Sequence, residues 1–220
     1  MAISNNTTGY RPGVCTSSTR PSAPYEGQMI FETDTNRVLV WDNAAWVMIA
    51  DTDSPPGLQL VKTQTVGTAV TSVTVNGAFS SEFENYKVVL SGGQSSSAVD
   101  LNLQLTAGGT PSTTLYYGVL VWASRDTGSV AGATNNNASV WSWAGGSAGS
   151  ADGAASMDVD LLNPFDAKRT RLHNAQVLYS TVYGTYTGLH DIGTSYDGIK
   201  IIPSSGTLTG GTIRVYGYRN

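Results

Sequence analysis

Apolar and polar positions alternate with a period of two along most of this chain, and no segment sustains a helical period. The cleanest case is LNLQL, where Leu101, Leu103 and Leu105 share one face and Asn102 and Gln104 the other. Residues 58–66, 69–75, 86–91, 99–106 and 115–123 read as strands, and 156–162, 176–186, 198–202 and 212–218 continue the pattern. Clusters at 92–97, 106–113, 127–138 and 144–155, rich in Gly, Ser, Ala, Thr and Asn, read as turns or loops. Short strands at that spacing predict an all-β fold, a jelly-roll-like antiparallel β-sandwich spanning residues 58–220.

Three shorter apolar runs precede it: 28–32 (QMIFE), 37–41 (RVLVW) and 45–49 (AWVMI). Thr33, Asp34, Thr35 and Asn36 separate the first two, and Asp42 and Asn43 the second pair. Asp and Asn suit such turns because their side chains bond nearby backbone and tolerate left-handed conformations. A small β-meander over residues 25–50 is predicted. About thirty residues cannot bury a self-sufficient core, since domains below about 40 usually need disulfides, metal or oligomerisation. Residues 1–24 are polar and interrupted by Gly9, Pro12, Gly13, Pro21 and Pro24, so they read as an extended arm ordered by other chains. Residues 51–57 (DTDSPPG) form a Pro-rich linker.

Two stretches carry a resemblance. Arg20-Pro21-Ser22-Ala23-Pro24, then Glu26-Gly27-Gln28-Met29-Ile30, then Glu32-Thr33-Asp34-Thr35-Asn36-Arg37, and a Val-rich strand into Trp41-Asp42 and Ala45-Trp46, resembles short modules of tail-fibre and other virion proteins of tailed bacteriophages. Residues 196–220, ending GTLTGGTIRVYGYRN, are similar to the last strands of β-sandwich domains in phage virion structural proteins. The resemblance implies a virion structural protein, a homotrimer, placed as a tail-fibre or tail-tip component. Its arm would dock on other virion proteins, and its sandwich would serve assembly or host contact, with a host surface glycan as candidate ligand. A head fibre or capsid-decoration role competes, because the chain is short for a fibre that must span a distance. A reading from a different class is a stand-alone carbohydrate-binding module.

Composition narrows the partners. Charged residues make up 13% of 220, against a usual level of about 25%, so Ser, Thr, Asn and Gly do the solubilising. The net charge of -4 opposes a nucleic-acid partner, which needs basic surface to neutralise phosphates. The basic cluster Lys168-Arg169-Thr170-Arg171 reads as a solvated loop or strand end pairing with Asp166 and Asp160. Cys15 is the only cysteine, so neither an intrachain disulfide nor a Cys-based zinc site can form within one chain. Residues 1–10 lack the basic start and apolar core of a signal peptide, and no apolar run reaches a membrane span. The expectation is synthesis in a host cytoplasm, a final location in the virion and no membrane insertion.

No catalytic motif stands out. His190-Asp191 invites a dyad, yet adjacent strand residues point to opposite faces. A phosphate-cradling Gly-Lys-Ser/Thr loop and His-Glu-x-x-His are missing, so neither an enzyme nor a cofactor is expected. Asp158 and Asp160 share a strand face, as paired glycosidase acids do, and also read as solvated surface. Glu32, Asp34, Asn36, Asp42, Asp51 and Asp53 offer oxygen ligands without EF-hand spacing. Turn formation explains them, and no metal is expected. Aromatic residues give the binding signal: Tyr116, Trp122, Trp141 and Trp143 are the candidates for glycan or interface contact, and the same residue types suit a strand core.

Overall fold

The computed structural model describes residues 12–52, 57–149, 155–179 and 182–219, and among them strands and turns account for all regular structure. The chain divides into two units at Gly57/Leu58.

The first unit is a four-stranded sheet of β1 (Gly13–Cys15), β2 (Met29–Glu32), β3 (Arg37–Trp41) and β4 (Trp46–Asp51), in that order. Its turns follow the side-chain chemistry. Asn36 and Asn43 take positive φ of 51° and 78°, and the Asp42 carboxylate accepts from the Ala44 and Ala45 amides at 2.8 and 2.7 Å. Ile30 and Leu39, opposite one another in the β2–β3 register, are its two buried aliphatic side chains among the described residues. Val47, Met48 and Ile49 of β4 stay exposed.

The segment expected to be an arm contributes β1, which runs parallel to β2. Polar bonds place it. The Asp34 carboxylate accepts from the Ser17 amide at 2.9 Å and the Ser17 hydroxyl at 2.6 Å, and the Thr33 amide donates to Cys15 O at 2.9 Å. Since Gly13 and Val14 are exposed, no apolar period announces this strand. Residues 1–11 of the expected arm and 53–56 of the expected linker lie outside the described residues.

The second unit contains β5 (Gly57–Thr65), β6 (Val73–Val75), β7 (Asn85–Ser91), β8 (Gln94–Ser95), β9 (Val99–Ala107), β10 (Thr110–Pro111), β11 (Tyr116–Ser124), β12 (Val130–Ala138), β13 (Trp141–Ser147), β14 (Ser156–Leu162), β15 (Thr170–Tyr179), β16 (Val182–His190), β17 (Gly198–Pro203), β18 (Leu208–Thr209) and β19 (Thr212–Arg219). One antiparallel path runs β12-β11-β16-β15-β14-β7-β19-β5 and another β6-β17-β9-β13. They meet at β14, whose first residues pair with β13 and whose later ones pair with β15, while β7 covers its other side.

Apolar faces from both paths merge into one core. Leu101, Leu103, Leu105, Ile199 and Ile201 come from one, and Tyr86, Val88, Val159, Leu161, Leu172, Ile213 and Val215 from the other. The fold is an all-β sandwich, as the period-two pattern predicts.

Two local expectations differ. Residues 130–138 and 144–147, within stretches expected as loops, belong to β12 and β13; residues 150–154 lie outside the described set. The sequence VAGATNNNA has poor strand propensity, yet it pairs with β11 over almost its whole length, and pairing overrides propensity. In β13, Gly145 sits where a Cβ would lie 2.6 Å from Ser156 O, so small residues there mark a close approach of strands. The single strand expected at 176–186 is the end of β15 and the start of β16, which pair as a hairpin up to Tyr179 opposite Val182; Ser180 and Thr181 lie outside the described residues. Gln104, on the face opposite the three leucines, is also buried and donates to Ser139 O at 2.9 Å.

Candidate functional site

Strand parity decides where the four aromatic candidates go. Tyr116 stands at the inward parity of β11 and Trp141 at the start of β13; both are fully buried. Their rings meet edge to face at 5.0 Å between centroids. Tyr116 accepts the Leu105 amide at 2.9 Å and donates to Ser112 O at 3.2 Å, and burial pushes its hydroxyl pKa upward. The part these two play is packing, since no glycan or second chain reaches a ring with no exposed surface. Trp122 and Trp143 are half-buried against the same core.

Glycines make room for the rings. A methyl at Gly188 of β16 would lie 2.5 Å from the Trp141 indole nitrogen, and one at Gly118 of β11 would run into the Tyr186 hydroxyl. Each ring thus lies over a strand position with no side chain.

His190 closes this cluster. It is fully buried, with Tyr116 at 4.3 Å and Tyr196 at 5.3 Å between ring centroids. Its Nε2 shares a 2.9 Å hydrogen bond with the Ser112 hydroxyl. Burial pushes its pKa down to about 4, against the smaller opposing influence of Asp191. Asp191 itself pairs with Arg169, so the adjacent pair does not form a dyad.

A second buried polar group holds the two sheet paths together. The β13 register slips between Trp141 and Gly145, where Trp143 takes φ of 59°. The buried Asn174 amide donates from Nδ2 to Trp143 O and Ala144 O at 3.1 and 3.0 Å, and its Oδ1 accepts the Tyr186 amide at 3.0 Å. Carbonyls displaced by the irregularity are thereby satisfied.

The outer face of the longer path changes character along its width. On β7, β14 and β19 it is charged: Lys87 pairs with Asp158 and, at 3.8 Å, with Asp160, and the Tyr218 hydroxyl donates to Asp160. The two carboxylates do share a face, but Lys87 sits between them at the sheet surface. On β11, β12 and β16 no Asp, Glu, Lys or Arg occurs. Val119, Val121, Val130 and Tyr183 are exposed there by 53, 49, 73 and 43%. Thr134 and Thr187 flank Val119 in register, and Gly132 and Thr185 flank Val121. Among the described residues β12 pairs with β11 alone, so it leaves nine residues of uncharged edge.

The basic segment leads into β15. Lys168 reaches Asp166 at 3.0 Å, as expected, and Arg169 reaches Asp191; Asp160, the other expected partner, is held by Lys87. Thr170 is buried, and period two then turns Arg171 outward. These side chains, with Asn163 and Gly193, line a cleft of about 500 Å³.

In the first unit the candidate oxygen ligands Glu32, Asp34, Asp42 and Asp51 bond to their own chain; Asp53 lies outside the described residues. Glu32 is buried with Arg20 and the Thr35 hydroxyl, and the pairing with Arg20 holds its carboxyl below the usual range. Among the described residues no three His, Cys, Asp or Glu side chains converge.

The uncharged face and the edge of β12 escaped sequence reading because their strand was read as a loop. An available signal was the absence of Asp, Glu, Lys and Arg from residue 127 to residue 151. Comparison with protein-family models, with curated proteins and with solved structures finds no match to this chain.

Proposed function

We propose that this chain is a structural protein of a tailed-bacteriophage virion, a homotrimeric tail-fibre or tail-tip component whose jelly-roll-like sandwich serves assembly and host contact without catalysing a reaction. The observation that carries the reading is the uncharged outer face of β11, β12 and β16, next to the free edge of β12. Edge strands left without charge or cover pair with other chains, the one bulge of β12 lies at its end, opposite Tyr116 and Gly118, and apolar sheet faces of this size mark interaction sites.

The three strands, of about nine residues each, present roughly 30 by 14 Å, about 430 Å², from a rise of about 3.3 Å per residue and a spacing of about 4.8 Å. That is about half of the roughly 800 Å² per partner of a standard interface. A second copy is the fitting occupant, because a face without charge neither repels itself nor leaves charges unpaired. The small first unit, with two buried aliphatic residues and an exposed Val47-Met48-Ile49 run, is the mount by which the chain joins other virion proteins. A head-fibre or capsid-decoration place remains the second reading, favoured by the modest length of 220 residues.

Immunogold labelling of intact particles with antibody against residues 58–220 tests the reading. Gold at tail tips or fibres supports the tail assignment, and gold over heads supports the decoration reading. Label confined to free protein, with bare particles, would overturn both.

A further inference from the structure

We infer that the cleft between the approach to β15 and the end of β16 binds a carboxylate-bearing sugar residue, with Arg171 as the anion-recognising group. Three basic side chains line it, and two are already engaged: Lys168 by Asp166 and Arg169 by Asp191. Arg171 has no carboxylate partner among the described residues. Its guanidinium presents a planar fork of donors suited to bidentate contact with a carboxylate.

Asn163 supplies the second element. It sits at φ of 56°, fixed by its amide donating to Glu84 O at 3.1 Å and to Asn85 Oδ1 at 3.3 Å. Asn163 lines the cleft, and a side-chain amide both donates and accepts hydrogen bonds. A ligand that brings hydroxyls as well as a negative charge suits this pair of groups, and an acidic saccharide does so. The Asp191 carboxylate on the same wall is a further acceptor for hydroxyls.

The volume falls within the roughly 300–1,000 Å³ of small-molecule sites. No aromatic ring lines it, so binding lacks stacking and falls in about the millimolar range. Repetition on an oligomer strengthens it through multivalency. The assignment deepens the host-contact part of the proposed function and rests on that reading for the source of the sugar, but its chemistry stands on the cleft alone.

The test titrates the full chain, isotopically labelled, with trigalacturonate, with neutral galactotriose and with sodium sulfate, following the arginine Nε–H and Asn163 amide resonances. The acidic trisaccharide shifts the Arg171 and Asn163 signals saturably, while the neutral sugar and sulfate do not. Arg171→Ala weakens binding about tenfold or more with an unchanged melting temperature, Arg171→Lys retains part of it, and Asn163→Asp weakens it by adding like charge. Equal response to galactotriose or sulfate, no response at tens of millimolar, or full binding by Arg171→Ala would overturn the assignment. Running the titration also on Val121→Lys, altered on the assembly face, separates the two proposals: millimolar binding persists there even where oligomers are lost.

Discussion

Two buried polar residues set expectations at the scale of single side chains. His190 is neutral inside the sandwich with its pKa lowered to about 4, whereas an unfolded histidine titrates near 6.5. Between those values the unfolded chain binds a proton that the folded chain refuses. Stability is therefore full above pH about 6.5, declines as pH falls towards 4 and levels off below it, a loss of up to about 3 kcal/mol. Urea denaturation at pH 7, 5.5 and 4 measures this decline, and His190→Gln flattens it across that window. Asn174 is the other case. Asn174→Leu strands the Trp143 and Ala144 carbonyls and the Tyr186 amide, and is expected to cost about 2–4 kcal/mol in the same assay. Neither role was legible in the sequence, because His190 and Asn174 differ from surface His and Asn only in what surrounds them.

Among the elements, legibility followed composition. Strands built from alternating Leu, Val and Ile, such as β9 around LNLQL, were plain, and so were the turns at Asn36 and Asn43. β12 and β13 were not. Their Gly, Ala, Ser and Asn residues satisfy the chemistry of loops, and their strand state arises from pairing with β11 and β9 and, at Gly145, from the close approach of β14. β1 was hidden for a related reason, since side-chain bonds from Asp34 to Ser17 hold it without an apolar face. Of the sites, the aromatic residues were visible as types, but only strand parity separates buried Tyr116 and Trp141 from exposed Val119 and Val121. That parity supports a prediction for the uncharged face. Val121→Lys, at a residue 49% exposed, leaves the melting temperature of the sandwich within about 2 °C but weakens self-association at least tenfold, read by sedimentation velocity.

For the whole molecule, the division of labour rests on size and surface. Among the described residues the first unit buries two aliphatic side chains, and the second holds one broad core. The longer sheet path carries paired charges at β7 and β14 and none at β11, β12 and β16. A free-standing glycan-binding module has no use for that asymmetry, whereas an assembled protein uses the uncharged part against its copies and leaves the charged part to solvent. Light scattering coupled to size-exclusion chromatography, on the full chain at micromolar concentration, tests this most directly. The account predicts a single species with a mass near three times the 23.1 kDa chain; a clean monomer at that concentration would contradict it.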